Sequence, residues 1–283
     1  MIRHRVCCVN FSNIARLSTI CSTVLILDSG VGGLSVYNEV FKLLPNLHYL
    51  YVFDNIVFPY GEKSAEITTQ RVMSIITAVT RLYVLALAVV ACNSASIVSL
   101  PALRARFTFP IIGVVPAIKP AACITRNGVI GLLATRGTLQ RSYTHDLIAR
   151  FASACKTTLL GSKELVELAE SKLRGGLVSL NTVRKILQPW LHMSPPPDTV
   201  ILGCTHFPLI RDELQAVLPV GTQLIDSGAA IARRTAFVLG YPSTTNIAIA
   251  HNVALCMDLT QHAKELIPTL QYYGFQTLKK LTL

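Results

Sequence analysis

Two cysteines stand where apolar runs end. Cys204 closes VILGC and is followed by Thr205, His206, Phe207 and Pro208; Cys92 closes AVVAC and is followed by Asn93, Ser94 and Ser96. A cysteine inside an apolar strand is ordinarily a small core side chain. At a strand end, with hydrogen-bonding residues behind it, it is also a candidate acid, base or nucleophile. A free thiol with a pKa near 8.5 is only about 3% ionised at neutral pH, so a working thiol needs a polar or charged neighbour. His206 is two residues from Cys204, and if the chain stays extended the two side chains share a face. Asp28, at the end of the first predicted strand, is the matching neighbour for Cys92. One thiol beside an imidazole suggests attack on a carbonyl, as in a thiol hydrolase. Two echoing thiols suggest a substrate held between them, one removing a proton and the other supplying one on the opposite face.

The elements that must carry these groups alternate between strand and helix. Residues 24–27 predict a strand, 28–33 a glycine-rich turn, and Leu34 onward a helix. HYLYVFDN, LALAVVA, IIGVV, NGVIGLLAT, TVILGC and TQLID are further strands. SAEITTQRVMSIITAVTRLY predicts an amphipathic helix capped by Ser64, and PALRAR a helix opening with Pro101 in its first turn. RSYTHDLIARFASA and ELVELAESKL are also helical patterns. This alternation implies βαβ units, parallel sheets and an α/β fold. LILDSGVGG (25–33) is echoed by QLIDSGAAI (223–231), and VVACNS (89–94) by VILGCTH (200–206), so each half supplies one similar strand end. Ligands of such sheets bind outside the carboxyl ends of the strands, where both thiols are expected.

SGVGGLS departs from both phosphate-binding fingerprints: it has no Gly-Lys-Ser/Thr, and the last glycine position of the dinucleotide motif falls on Ser35. Asp28 would also repel a phosphate. The turn reads instead as one that brings backbone N–H groups to a carboxylate. FPYG (58–61) is a loop in which Gly61 permits close approach, and ATRGT (134–138) places hydroxyls after a strand.

The chain has 283 residues, 51% of them apolar and 14% charged, with a formal net charge of +11. Between residues 101 and 160 eight basic side chains face one acid, Asp146, a bias that suits an anionic ligand or simply a solvated basic surface. The uncharged run from Leu82 to Leu103 has an apolar core of only ten residues, too short for a membrane span. None of the eight cysteines forms a Cys-x-x-Cys pair, so neither a structural zinc site nor a disulfide framework is expected, and a reducing cytoplasm fits. Residues 1–22 carry Arg3, Arg5 and Arg16 without an acid or a continuous apolar stretch, and read as an extension.

DSGVGGLSV, FDNIVFPYGEKS, VVACNSAS, GVVPAIKPA, GLLATRGT and LGCTHFPL, in this order, resemble the glutamate racemases of the cofactor-independent aspartate/glutamate racemase family, most closely those of enterobacteria. The resemblance runs from about Val24 to the C-terminal region. It implies two similar α/β domains with mainly parallel sheets and the active site between them: residues 23–115 with 227–283, and residues 116–226. It implies that Cys92 and Cys204 interconvert L- and D-glutamate by proton transfer at Cα, with no cofactor and no metal, and that Asp28 and His206 tune the thiols with Glu170 behind His206. Substrate contacts carried over are Asp28, Ser29, Tyr60, Gly61, Asn93, Ser94, Thr135, Thr205 and His206. Ser94 departs from the threonine usual there, keeping the hydroxyl in a looser pocket. D-Glutamate for peptidoglycan is the implied product. The implied activator is UDP-N-acetylmuramoyl-L-alanine, at Arg104 and at Gly113, Val114, Val115, Pro116, Ala117, Ile118 and Lys119, within the basic segment. A monomer or homodimer is expected, with no membrane and no nucleic acid. The alternatives are an aspartate racemase or a non-catalytic binding protein on the same scaffold.

Overall fold

In the computed structural model the central strands of the first sheet are runs of Val, Leu, Ile, Ala and aromatic residues buried on both faces, the composition a helix-covered parallel sheet requires. The structure describes residues 23–240 and 252–283. The extension read over residues 1–22 lies outside them.

Among the described residues ten strands form two sheets. They are β1 (Thr23–Asp28), β2 (His48–Phe53), β3 (Leu85–Val90), β4 (Ile111–Gly113), β5 (Val129–Ala134), β6 (Lys156–Gly161), β7 (Thr199–Leu202), β8 (Gln223–Ile225), β9 (Asn252–Cys256) and β10 (Phe275–Lys280). The first sheet runs β10-β9-β2-β1-β3-β4 and the second β6-β5-β7-β8, and every pairing is parallel. In the first sheet β1 lies between β2 and β3, so the winding reverses between β1 and β3. In the second, β5 lies between β6 and β7, and the winding reverses between β5 and β7. Such reversal points open crevices at the carboxyl ends of strands. Asp28 ends β1 and Cys92 follows β3; Thr135 follows β5 and Cys204 follows β7.

The chain crosses between the sheets after β4 and again after β8. The two crossings are tied where the Ser227 hydroxyl donates to the carbonyl of Val115. Across the sheets, Ser35 Oγ donates to the carbonyl of Thr205 at 2.7 Å and the N–H of Val31 to Glu170 Oε1 at 2.8 Å.

Two expectations are corrected. The helix expected to open at Pro101 begins at Asn93, directly after Cys92, and runs to Arg106 with Pro101 inside it. Its polar residues are satisfied locally: Ser96 Oγ donates to the carbonyl of Val90 at 2.9 Å and Ser99 Oγ to that of Ala95 at 2.7 Å, so the segment that looks loop-like is helical. Nor does the chain stay extended beyond Cys204: β7 ends at Leu202, and His206 has helical angles, φ −73° and ψ −32°, opening a short 3-10 turn at Phe207–Ile210. The apolar run at Leu85–Val90 is a central strand. Among the described residues no helix is long and apolar enough to cross a membrane.

Candidate active site

The glycine-rich turn after β1 is folded around two carboxylates of the chain itself. The N–H groups of Ser29 and Gly33 donate to the two oxygens of Asp28, each at 2.6 Å, and the N–H of Val31 reaches Glu170 in the helix Glu164–Leu173. The glycines are needed because that helix and the Cys204 turn press directly on this backbone. A Cβ on Gly30 would lie 2.2 Å from Glu170 Oε1, and one on Gly32 would lie 2.4 Å from His206 Nδ1.

Asp28 is completely buried, and burial pushes its carboxyl above the ordinary 3.8 against the opposing pull of His206 and the two N–H donors. The Cys92 thiol lies in the field of this carboxylate. Cys92 also caps the helix Asn93–Arg106, and the N–H of Ala95 favours its thiolate. Burial and the Asp28 charge outweigh that cap, and negative charge at Cys204 adds to them, so the Cys92 thiol is held well above its ordinary value.

Cys204 has the opposite setting. Its Sγ is 3.6 Å from His206 Nδ1, and His206 Nε2 is 2.9 Å from Glu170 Oε1. Burial disfavours a charged imidazole, but its contacts with Cys204 and Glu170 prevail and raise its pKa well above 6.5. Burial would likewise raise Glu170, yet His206, the Val31 N–H and Arg174 together hold it below 4.5. One thiol therefore sits against a carboxylate and the other against an imidazolium backed by a carboxylate. The His206 contact is made through a turn rather than along a strand.

The remaining residues named from the sequence fall into two groups. Ser94 Oγ lies 3.1 Å from Thr135 Oγ1 and 3.0 Å from Thr138 Oγ1, and those two are 3.0 Å apart, a hydroxyl triangle bridging the two sheets. Thr205 Oγ1 donates to Asp28 Oδ2 at 3.4 Å, and Asn93 is buried with its Nδ2 lacking a partner beside Cys204. Tyr60 is placed differently. Its hydroxyl donates to buried Asp54 at 2.8 Å, and Arg71 grips the same carboxylate at 2.6 and 3.0 Å, so the side chain is held by Asp54. Gly61 packs on Thr135, where a Cβ would come within 2.7 Å. Ser29 lines a separate cavity of about 320 Å³ behind Glu170, whereas the space beside Asn93 and Cys204 is only about 10 Å³. The sheets are closed on one another at the thiols.

Of the residues carried over for an activator, Arg104 and Gly113 line a cavity of about 590 Å³ with Phe107, Phe109 and Arg234. Val114, Ala117 and Ile118 are buried, and Lys119 lies over the Phe151 ring. Sequence reasoning missed Thr138, Arg71, Asp54 and Arg174. Thr138 was within reach as the second hydroxyl of ATRGT, while the others carry no local signal.

Two parallel sheets flanked by helices, each with a cysteine just beyond one of its strands, define an α/β protein of the open parallel-sheet class. The Asp/Glu/Hydantoin racemase family description matches residues 24–235, and the chain belongs to that family. It is 67% identical over 261 residues to a glutamate racemase of Erwinia tasmaniensis, covering 92% of each chain, and 63% identical over 259 residues to one of Escherichia fergusonii, covering 92% and 91%. Among solved structures it is similar to Escherichia coli glutamate racemase in complex with L-glutamate and the activator UDP-MurNAc-Ala. The TM-score there is 0.89 at 62% identity, with 92% of this chain and 98% of that chain covered. A glutamate racemase isoform from Bacillus anthracis aligns with a TM-score of 0.75 at 27% identity, covering 93% and 97%.

Proposed function

We propose that this chain is a glutamate racemase that interconverts L- and D-glutamate by proton transfer at Cα between two thiols. The observation that carries the reading is the opposed setting of Cys92 and Cys204, one against Asp28 and the other against His206 and Glu170. In one direction the Cys204 sulfur takes the Cα proton: the Cα–H bond breaks and an S–H bond forms. Cys92, kept protonated by its carboxylate neighbour, then gives its proton to the other face of the planar centre. The next substrate of opposite hand returns both sulfurs to their starting states. His206 balances the charge that appears and disappears on Cys204, and Asp28 does the converse at Cys92.

Asn93 Nδ2 and the hydroxyls of Ser94, Thr135 and Thr205 supply the polar contacts for the substrate, together with the backbone at Ser29, Tyr60 and Gly61. A space of about 10 Å³ has room for about one water and none for an amino acid, so binding requires the two sheets to separate. The units that separate are residues 23–115 with 227–283, and residues 116–226, pivoting on the crossings tied by Ser227 and Val115. An anionic nucleotide-sugar peptide such as UDP-N-acetylmuramoyl-L-alanine fits the basic cavity at Arg104 and Gly113, next to the first crossing. D-Glutamate made in the cytoplasm would feed peptidoglycan synthesis.

The test is to incubate L-glutamate, and separately L-aspartate, with the protein in D2O, with and without the UDP-muramoyl precursor. Loss of optical rotation with deuterium at Cα is expected for glutamate. Racemisation of aspartate in preference moves the assignment to the sister activity, and no exchange with either substrate rejects it.

A further inference from the structure

Glu170 uses its two oxygens for different purposes. Oε1 accepts from the Val31 N–H at 2.8 Å and contacts His206 Nε2 at 2.9 Å. Oε2 accepts from Arg174 Nη1 at 3.1 Å. Arg174 follows the last turn of the helix Glu164–Leu173, one helical turn beyond Glu170, and its side chain is only 25% exposed. It also lines the 320 Å³ cavity behind the pair.

We propose that Arg174 is a positioning residue for the Cys204 half of the reaction, holding Glu170 Oε2 so that Oε1 stays aimed at both His206 and Val31. The inference rests on the two-thiol reading above. A carboxylate rotates freely about its terminal bond unless both oxygens are held, and here the inner oxygen is shared by two partners that require a single orientation. Without the guanidinium, Oε2 turns to the water of the cavity and the Glu170–His206 contact loosens. The carboxylate also loses a stabilising positive charge and takes up a proton more readily. Around the pair, Glu167 lies on the same helix, His262 approaches from the helix Gln261–Glu265 across the cavity, and Tyr51 of β2 and His206 of the Cys204 turn act on Glu170 from the remaining sides. Among the described residues, His206 and Arg174 are the cationic partners of Glu170.

The variants are Arg174→Gln and Arg174→Lys, assayed with glutamate across the pH range alongside thermal unfolding. Arg174→Gln is expected to lower kcat about 10-fold with KM within about twofold, since a displaced group costs rate rather than binding. The acid limb of its kcat/KM profile is expected to move up by about half a pH unit. Arg174→Lys should restore the limb and most of kcat. A wild-type protein that racemises glutamate beside an indistinguishable Arg174→Gln rejects the proposal alone. So does a rate loss with no limb shift, the mark of a merely structural role. A wild-type protein inactive on glutamate rejects the underlying reading instead.

Discussion

The backbone N–H of Val31 donates to Glu170 Oε1 at 2.8 Å across 139 residues of chain, so the same oxygen that meets His206 also fastens the glycine-rich turn of the first sheet to a helix flanking the second. Closure of the two sheets and orientation of the imidazole at Cys204 are therefore one event. Under the proposed opening of the sheets, this contact must be remade before the proton moves.

Replacing Glu170 by Gln keeps much of the shape and removes the charge. We expect kcat to fall about 100-fold, because the imidazolium loses its counter-charge. The stability difference from wild type should depend on pH. Glu170 is held below 4.5, so its contribution is fully present above that value and is lost as pH falls through the lowered one. His206 is raised above 6.5, so its contribution is fully present below 6.5 and is lost as pH rises through the raised value. The gap in unfolding free energy between wild type and Glu170→Gln is thus widest from pH 4.5 to 6.5 and shrinks on both sides. Denaturant titrations at several pH values measure it, and a gap that stays constant with pH contradicts the assignment.

Cys92→Ser and Cys204→Ser should each reduce racemisation at least 100-fold, the scale of a lost acid/base group. Both sites are small and buried, so the unfolding midpoints should stay close to wild type. Either serine variant working at full rate would refute two-thiol chemistry.

Gly32→Ala places a Cβ 2.4 Å from His206 Nδ1, so the ring or the turn must shift. The expected cost is about 1–3 kcal/mol of stability, accompanied by a fall in kcat/KM. Chemical denaturation and steady-state kinetics read the two effects. An alanine variant with normal kinetics would mean that the imidazole does not work from this position.

Ser94→Ala removes one corner of the hydroxyl triangle with Thr135 and Thr138. KM for glutamate should rise about 5–10-fold, the value of one polar contact, with a smaller change in kcat. Equilibrium binding separates this from a rate effect, and an unchanged affinity would remove Ser94 from the binding set.

The central strands and the thiols at their ends are legible in the chain because continuous apolar runs interrupted by Asp, Cys, Asn and Thr are local patterns. β6, with the pattern KTTLLG and partial exposure along its length, and the C-terminal strands β9 and β10 escape such reading. The side chains of β6 and β10 are divided between core and solvent by neighbours distant in sequence, whereas β9 is a five-residue run buried between β2 and β10. The helix at Asn93 escapes for a related reason, since its serines satisfy themselves on backbone carbonyls that only the folded turn presents.

Residue order alone places Asp28, Cys92 and Cys204 at or just beyond strand ends, since hydrophobic patterning sets where a parallel strand stops. Folding sets the charge around each sulfur. Whether a thiol faces a carboxylate or an imidazolium depends on groups such as Glu170, Arg174 and the Val31 N–H, brought together from far along the chain. Proton affinities in a buried site respond to distances of a few ångströms, and sequence spacing carries no such distances.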